Sequence, residues 1–243
     1  MKPVIFNKLE NKIAIVTGAG SGIGKAASLL LGAEGVKVAA AARTEADIEK
    51  TIREINSAGG EAVGIKVDVR KFESAENMIR IARERYGRID FLVNCAGVGR
   101  FGNVTDFDIK EWEDVIGTNL TGVFNCCKAV LPVMIEQQDG YIINIASLAG
   151  KTGLAGRSAY CASKFGVVGF SESLMLEVRS YGIKVSTISP GSVNTGFGRT
   201  PYEKDSWKLE AEDVADLIVN LLKTNPKCLI SDMEMRALKP EKK

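Results

Sequence analysis

A chain of 243 residues, 45% hydrophobic and 26% charged, can bury one sizeable core and suits a single α/β domain over residues 1–243. A net charge of +2 leaves no basic field for nucleic acid, and the absence of a signal peptide or a continuous apolar run of about 18 residues leads us to expect a cytoplasmic protein that does not engage a membrane. The five cysteines (Cys95, Cys126, Cys127, Cys161 and Cys228) form no C-x-x-C and read as reduced thiols, while the lack of histidine excludes Ser-His-Asp and Cys-His nucleophile systems and any His-ligated metal site.

In chain order, residues 12–17 (KIAIVT) predict a short buried strand, followed by the turn Gly18-Ala19-Gly20-Ser21-Gly22-Ile23-Gly24 and a helix from about residue 25 to 33. Strand, glycine turn and helix aim backbone N–H groups and a helix N-terminus at a phosphate. The spacing is neither G-x-G-x-x-G, which would need glycine at Ile23, nor a P-loop, which would need glycine at Ala19; what remains is Gly-x-x-x-Gly-x-Gly on Gly18, Gly22 and Gly24. The next strand, 36–42, ends at Ala41-Ala42-Arg43-Thr44. In a dinucleotide fold this position faces the adenosine ribose, where a carboxylate accepts from the 2′-hydroxyl. Here there is none, and Arg43 can instead pair with a 2′-phosphate, which favours NADP(H) over NAD(H).

Helices at 45–58 and 72–86 and strands at 61–67 and 89–94 follow, the second running into Cys95-Ala96-Gly97. Residues 108–137 are long for one helix and predict a break near Gly117 or Pro132; Asn119 within it is a poor helix former, a local conflict of the kind found at functional positions. A strand at 141–146, a helix at 158–181, a strand at 184–189 ending at Pro190-Gly191, a polar loop at 192–208 carrying Phe197, Tyr202 and Trp207, a helix at 211–222 and a last strand at 228–233 complete the chain. This alternation predicts a parallel sheet of six to seven strands with helices on both faces and right-handed crossovers, ligands lying at the strands' carboxyl ends. Six residues of the helices 108–137 and 158–181 (Phe124, Val130, Met134, Phe165, Phe170 and Met175) are candidates for an apolar surface beyond what one core face needs, and predict a homo-oligomer, dimer or tetramer.

The one evident acid–base device lies between residues 140 and 169. Tyr160 and Lys164 stand at i and i+4 of a predicted helix, sharing a face. A lysine cation beside a phenol favours the phenolate, so Tyr160 is expected to titrate below its ordinary value of about 10 and to exchange a proton near neutral pH. Ser147, at the end of the preceding strand, can donate a hydrogen bond to the same oxygen. Alone, Tyr-x-x-x-Lys describes many half-buried tyrosines beside solvated lysines.

Together these segments resemble the short-chain dehydrogenase/reductase family, from about residue 8 to residue 222. The family's T-G-x-x-x-G-x-G turn is present as Thr17 to Gly24, its N-N-A-G segment as Asn94-Cys95-Ala96-Gly97 with cysteine at the second position, and its Asn-Ser-Tyr-Lys tetrad as Asn119, Ser147, Tyr160 and Lys164. The resemblance implies a single doubly wound Rossmann domain and a nicotinamide cofactor. It assigns cofactor contacts to Gly18, Ser21, Gly22, Ile23, Gly24, Arg43, Asp68 and Val69, to Asn94, Ala96 and Gly97, to Tyr160 and Lys164, and to Pro190, Gly191, Val193 and Thr195. It further implies reduction of a ketone or aldehyde by hydride transfer, with Tyr160 as proton donor, Lys164 lowering its pKa and holding the nicotinamide ribose, and Asn119 anchoring a water; no metal is involved. Leu148, Leu154, Val98, Val193, Phe197 and Trp207 are expected to line an apolar pocket for a hydrophobic carbonyl or hydroxy compound. A 3-oxoacyl-acyl-carrier-protein reductase is the alternative, opposed by Gln138 and Tyr181 where such enzymes carry basic docking residues and by the ending Ser231-Asp232-Met233-Glu234-Met235-Arg236. A non-catalytic NADP(H)-sensing protein is a further alternative, opposed by the complete tetrad.

Overall fold

The computed structural model describes residues 7–198 and 205–239, so Tyr202 and the middle of the 192–208 loop lie outside the described residues. In chain order it runs β1 (Ile13–Thr17), α1 (Gly22–Ala33), β2 (Lys37–Ala42), α2 (Glu45–Ser57), β3 (Glu61–Lys66), α3 (Phe72–Tyr86), β4 (Phe91–Asn94), α4 (Ile109–Ile116), a π-helical turn (Gly117–Thr121), α5 (Gly122–Gln137), β5 (Gly140–Ile145), α6 (Ser158–Val178), β6 (Ile183–Pro190), β7 (Val193–Asn194), β8 (Leu209–Glu210), α7 (Ala211–Leu222) and β9 (Asp232–Met235). Seven strands form one parallel sheet in the order β3-β2-β1-β4-β5-β6-β9; β7 and β8 pair separately.

The winding direction reverses between β1 and β4, where Ile15 faces Ala39 on one side and Leu92 on the other. A reversal of this kind splays the flanking loops apart and opens a crevice at the carboxyl ends of the strands. β1, β4 and β5 are buried throughout, which is why they read as unbroken apolar runs. Successive residues still face opposite sides. Ile15, Leu92 and Ile142 pack with α3, α5 and α6 through Met78, Val130 and Val167. Ala14, Val93 and Ile143 pack with α1, α2 and α7 through Leu31, Ile55 and Ile218.

Polar links set the register of this stack. Asn94 Nδ2 donates to Asn144 Oδ1 at 2.8 Å, Asn144 Nδ2 donates to Ser171 Oγ at 2.8 Å, and Ser171 Oγ donates to the Val167 carbonyl at 2.6 Å. β4, β5 and α6 are thereby joined by hydrogen bonds that form only at one longitudinal setting. At the opposite end of the strands, buried Asp90 accepts from Lys12 Nζ (2.8 Å), Arg88 Nη2 (2.6 Å) and the Ile13 amide (2.9 Å).

Several boundaries differ from those predicted. The glycine turn is shorter, because Gly22 already begins α1. The 108–137 segment breaks at Gly117 and not at Pro132, which sits inside α5 on its exposed side, where the carbonyl it cannot bond is open to water. The stretch Ile109–Gln137 reaches a mean hydropathy of 1.2 over 18 residues, but 61% of that window is buried inside the protein, so the core accounts for its apolar character. Val130 and Met134 belong to that core and not to an outer face; Phe124 and Phe165 stay exposed. The last strand starts at Asp232 rather than Cys228. Before it the chain meets β6 through its carbonyls, Ser186 Oγ donating to the Ile230 carbonyl and the Thr187 amide to that of Ser231, while the Cys228 amide turns back to the Asn225 carbonyl at 2.8 Å; strand pairing begins at Thr187 with Asp232.

Asn144→Ala leaves the Asn94 amide and the Ser171 hydroxyl short of a buried partner and opens a cavity. The expected loss is about 2–3 kcal/mol of unfolding free energy, read in urea as a lower midpoint at unchanged slope.

Candidate active site

The glycine turn is shaped by close approaches. Gly18 has φ +68°, and a Cβ there would lie 2.9 Å from the Ala96 backbone, while one on Gly24 would collide with the Gly18 carbonyl. Gly22 has φ +50°, and its Cβ would lie 3.1 Å from that of Thr195. The loops after β1, β4 and β6 therefore converge on one spot, at the N-terminus of a helix with no acidic residue in its first turn and no side-chain cap from Ser21. This is a cradle that side chains would fill, and it fits the diphosphate of a dinucleotide. Ile23 and Val193 pack partly buried against the core beneath it, and Thr195 borders the adjoining cleft with Gly22 and Lys25.

Gly18, Ser21, Arg43, Asp68, Val69, Ala96 and Gly97 line a single cleft, as expected of residues assigned to one cofactor. Arg43 is exposed and forms no hydrogen bond or ion pair among the described residues. Thr118 and Asp47 also line this cleft; neither was foreseen, and Asp47 puts a carboxylate near Arg43 from one turn into α2. Asp68 is held well below the usual carboxylate range by hydrogen bonds from Arg70, whose Nη2 lies 2.6 Å away. The Arg70 guanidinium also reaches Asp114 at 3.1 Å, and Asp114 accepts from Arg100 at 3.3 Å, so an ionic chain runs from this cleft to the loop after β4.

Three further assigned residues are engaged within the fold. The Asn94 side chain is turned into the sheet toward Asn144 and Cys127 at 3.5 Å, with its Oδ1 buried and unpartnered, and so acts on the architecture. Pro190 is buried at the end of β6, and Gly191 donates its amide to Met235. Cys95, which replaces the family's asparagine, has its thiol pushed up to about 12 by burial and stays protonated.

β5 delivers Ser147, whose Oγ accepts from the Ala149 amide at 3.1 Å and thereby caps a short 3₁₀ turn. α6 carries Tyr160 and Lys164. Lys164 is buried, donates Nζ to the Ile145 carbonyl at 2.7 Å, and lies 5.8 Å from the Tyr160 ring centroid. Burial draws its pKa down to about 8. The phenol is not depressed as the sequence suggests. Burial raises Tyr160 above its ordinary value, against the opposing pull of the Ser147 hydroxyl and the Arg157 charge. The reason lies in the packing. The Tyr160 ring is wedged between Phe101, edge-on at 5.7 Å, and Phe197, tilted at 5.7 Å, while the ammonium is committed to a backbone carbonyl.

Asn119 is fully buried in the π-helical turn. Its Oδ1 accepts from the Val98 amide at 2.8 Å, and its Nδ2 donates to the Val98 carbonyl at 3.0 Å and to Ser163 Oγ at 3.1 Å. Ser163 in turn donates to the Tyr160 carbonyl at 2.7 Å. The asparagine side chain thus positions α6 through Ser163. Ser163 was missed; the signal available was a small polar residue directly before Lys164 on α6. The expected pocket is also narrower: Val98 is packed in a cluster with Val115 and Ala159, and Val193 faces the core. Leu148 lies beside Gly191, Leu154 is exposed, and Trp207 is covered by Lys208. Phe101, at the mouth, is the aromatic residue that periodicity gave no reason to select.

Comparison with known proteins agrees with this geometry. A family model described as short chain dehydrogenase matches residues 12–206. A Staphylococcus aureus protein described as an uncharacterized oxidoreductase is 37% identical over 219 residues, covering 90% of this chain and 94% of the relative. A 3-oxoacyl-acyl-carrier-protein reductase of Synechocystis is 39% identical, covering 77% of this chain and 76% of the relative. Among solved structures, a metagenomic short-chain oxidoreductase in complex with NADP superposes with a TM-score of 0.86 at 34% identity, covering 96% of this chain and 100% of that one.

A buried lysine whose folded pKa is about 8 against an ordinary 10.5 costs stability whenever it is charged. The folded value lies below the unfolded one, so the cost is complete below about pH 8, shrinks between 8 and 10.5, and vanishes above. Lys164→Met is expected to raise the thermal midpoint at pH 7 by several degrees, to lose most of that advantage by about pH 10, and to abolish turnover; calorimetric scans at the two pH values check the stability and its sign.

Proposed function

This chain belongs to the short chain dehydrogenase family, and we propose that within it the protein is an NADPH-dependent reductase of ketones or aldehydes. The observation that carries the reading is the meeting of Ser147, Tyr160 and Lys164 beside a glycine cradle on one edge of the sheet. In this reading the first turn of α1 at Gly22 and Ile23 holds the pyrophosphate, Arg43 the 2′-phosphate, Lys164 the nicotinamide ribose and Thr195 the carboxamide. NADPH, when bound, supplies the hydride that adds to the carbonyl carbon.

The chain's own groups do the rest. The Ser147 and Tyr160 hydroxyls donate to the carbonyl oxygen, stabilising the charge that develops there. Tyr160 releases its proton to that oxygen as the carbon–oxygen double bond becomes single, and the phenolate is reprotonated from solvent. A phenol raised by burial stays protonated at neutral pH, which suits the donor's task in reduction. Lys164 stabilises the transient phenolate, and Asn119 and Ser163 hold the helix that carries both groups.

The name of the Synechocystis relative supports a second reading, a 3-oxoacyl-acyl-carrier-protein reductase. The half of the site that reduces the carbonyl is the same in both. Exposed Gln138 and Tyr181, uncharged where docking of an acidic carrier protein calls for basic residues, favour the free carbonyl compound.

Tyr160→Phe keeps the ring between Phe101 and Phe197 and removes only the hydroxyl. Its kcat for a ketone is expected to fall by at least about 10²-fold, with NADPH affinity retained; substantial turnover by this variant would show that another group moves the proton. Arg43→Ala is expected to weaken NADPH about tenfold to a hundredfold while sparing NADH. Equal titration of wild type with the two cofactors would contradict the preference.

A further inference from the structure

We propose that Arg157 recognises an anionic group, carboxylate or phosphate, on the carbonyl substrate, and that the site serves a carbonyl compound bearing a carboxylate a short distance from the reacting carbon. The proposal rests on the reductase reading above and names the substrate class for the same site.

Arg157 directly precedes α6 and so enters the site from the same helix end as Tyr160. Its guanidinium carbon lies 4.9 Å from the centroid of Phe101, and Phe101 meets the Tyr160 ring at 5.7 Å. These two distances bound the separation of the guanidinium from the tyrosine ring at about 11 Å, roughly nine bonds of an extended chain. The backbone at this point is fixed: the Arg157 amide donates to the Leu154 carbonyl at 3.1 Å, its carbonyl accepts from Cys161 at 2.8 Å, and Gly102 donates to Gly156 at 2.8 Å, tying the Phe101 loop to the Arg157 loop.

The charge is also uncommitted. Arg157 is exposed and forms no ion pair or hydrogen bond through its guanidinium among the described residues. Other arginines differ: Arg70 and Arg100 both pair with Asp114. The first turn of α6 holds no acidic residue, so the positive helix end adds to the field instead of being neutralised. A guanidinium lying on an aromatic face keeps its N–H edge outward, the edge that takes a carboxylate with two parallel hydrogen bonds. Between it and the phenol, half-exposed Phe101 offers an apolar floor for a short carbon chain. The phosphate at the end of a pantetheine arm lies well beyond this span, which favours a carboxylate.

The test compares wild type, Arg157→Gln and Arg157→Lys on 5-oxohexanoate, its methyl ester and acetoacetyl-coenzyme A. Wild type is expected to prefer the acid over the ester, mainly through KM; Arg157→Gln is expected to lose about tenfold or more of that preference, and Arg157→Lys to restore part of it. The proposal is overturned if wild type uses the ester as well as the acid, or if the glutamine variant lowers both alike. If coenzyme A thioester turnover depends on Arg157 and acid turnover does not, the anion is a phosphate and the carboxylate assignment is wrong. Calorimetric titration of 5-oxohexanoate into wild type and Arg157→Gln, each with oxidised cofactor, adds a readout free of turnover. If wild type reduces no carbonyl compound, the reductase reading fails by itself, and the titration still decides Arg157: weaker binding by the variant supports it, while equal affinity or no binding to either protein overturns it.

Discussion

The longitudinal setting of α6 against the sheet is the constraint from which the rest of this site follows. Two buried asparagines impose it. Asn144 reaches the helix at Ser171 and Asn119 reaches it at Ser163, eight residues or about 12 Å along the axis. Each amide has a partner on both sides, so sliding the helix by one residue would orphan several buried polar groups at once. Hydrophobic contact alone would tolerate such a slip, since the α6 face toward the sheet is made of interchangeable aliphatic side chains. The hydrogen bonds convert a greasy surface into a single docking position, and Tyr160 and Lys164 inherit that position.

The same arrangement explains why an ammonium can be kept at so dry a place. Lys164 finds the Ile145 carbonyl, at the end of β5, because the helix is held at that height. One hydrogen bond does not offset the loss of water, as its lowered pKa records. In the proposed reaction, a lysine that keeps its proton reluctantly would suit a phenol that has to give one up, because neither group is locked in one protonation state by a strong ion pair.

How much of this could be read beforehand depended on the range of the interactions involved. KIAIVT and YIINIA are legible as buried strands because a parallel sheet covered on both faces demands unbroken apolar runs, a local requirement. The glycine turn is legible as a pattern because one of its close approaches, Gly24 on the Gly18 carbonyl, lies within seven residues, whereas Ala96 over Gly18 and Thr195 over Gly22 come from distant segments that the spacing does not report. The break at Gly117 was one of two candidates, and Pro132 lost because an exposed face can hydrate the carbonyl it frees, which depends on the helix's neighbours. The β9 boundary was misplaced because the apolar triplet Cys228-Leu229-Ile230 looks more like a strand than the sequence Asp-Met-Glu-Met, whose edge position permits its polar residues. The tyrosine's environment was illegible for a plainer reason. Its covers, Phe101 and Phe197, come from loops 59 and 37 residues away, and nothing in the spacing of Tyr-x-x-x-Lys reports them.

The loop after β6 touches the site at two points that are far apart in purpose and close in sequence. Thr195 rests over Gly22, and Phe197, two residues on, lies across Tyr160 and over Gly99. Two residues of chain span at most about 7 Å, and Gly196, at φ +65°, makes the turn between them. The contact on the glycine turn and the cover of the phenol are therefore not independent features of the sequence: a single three-residue stretch carries both.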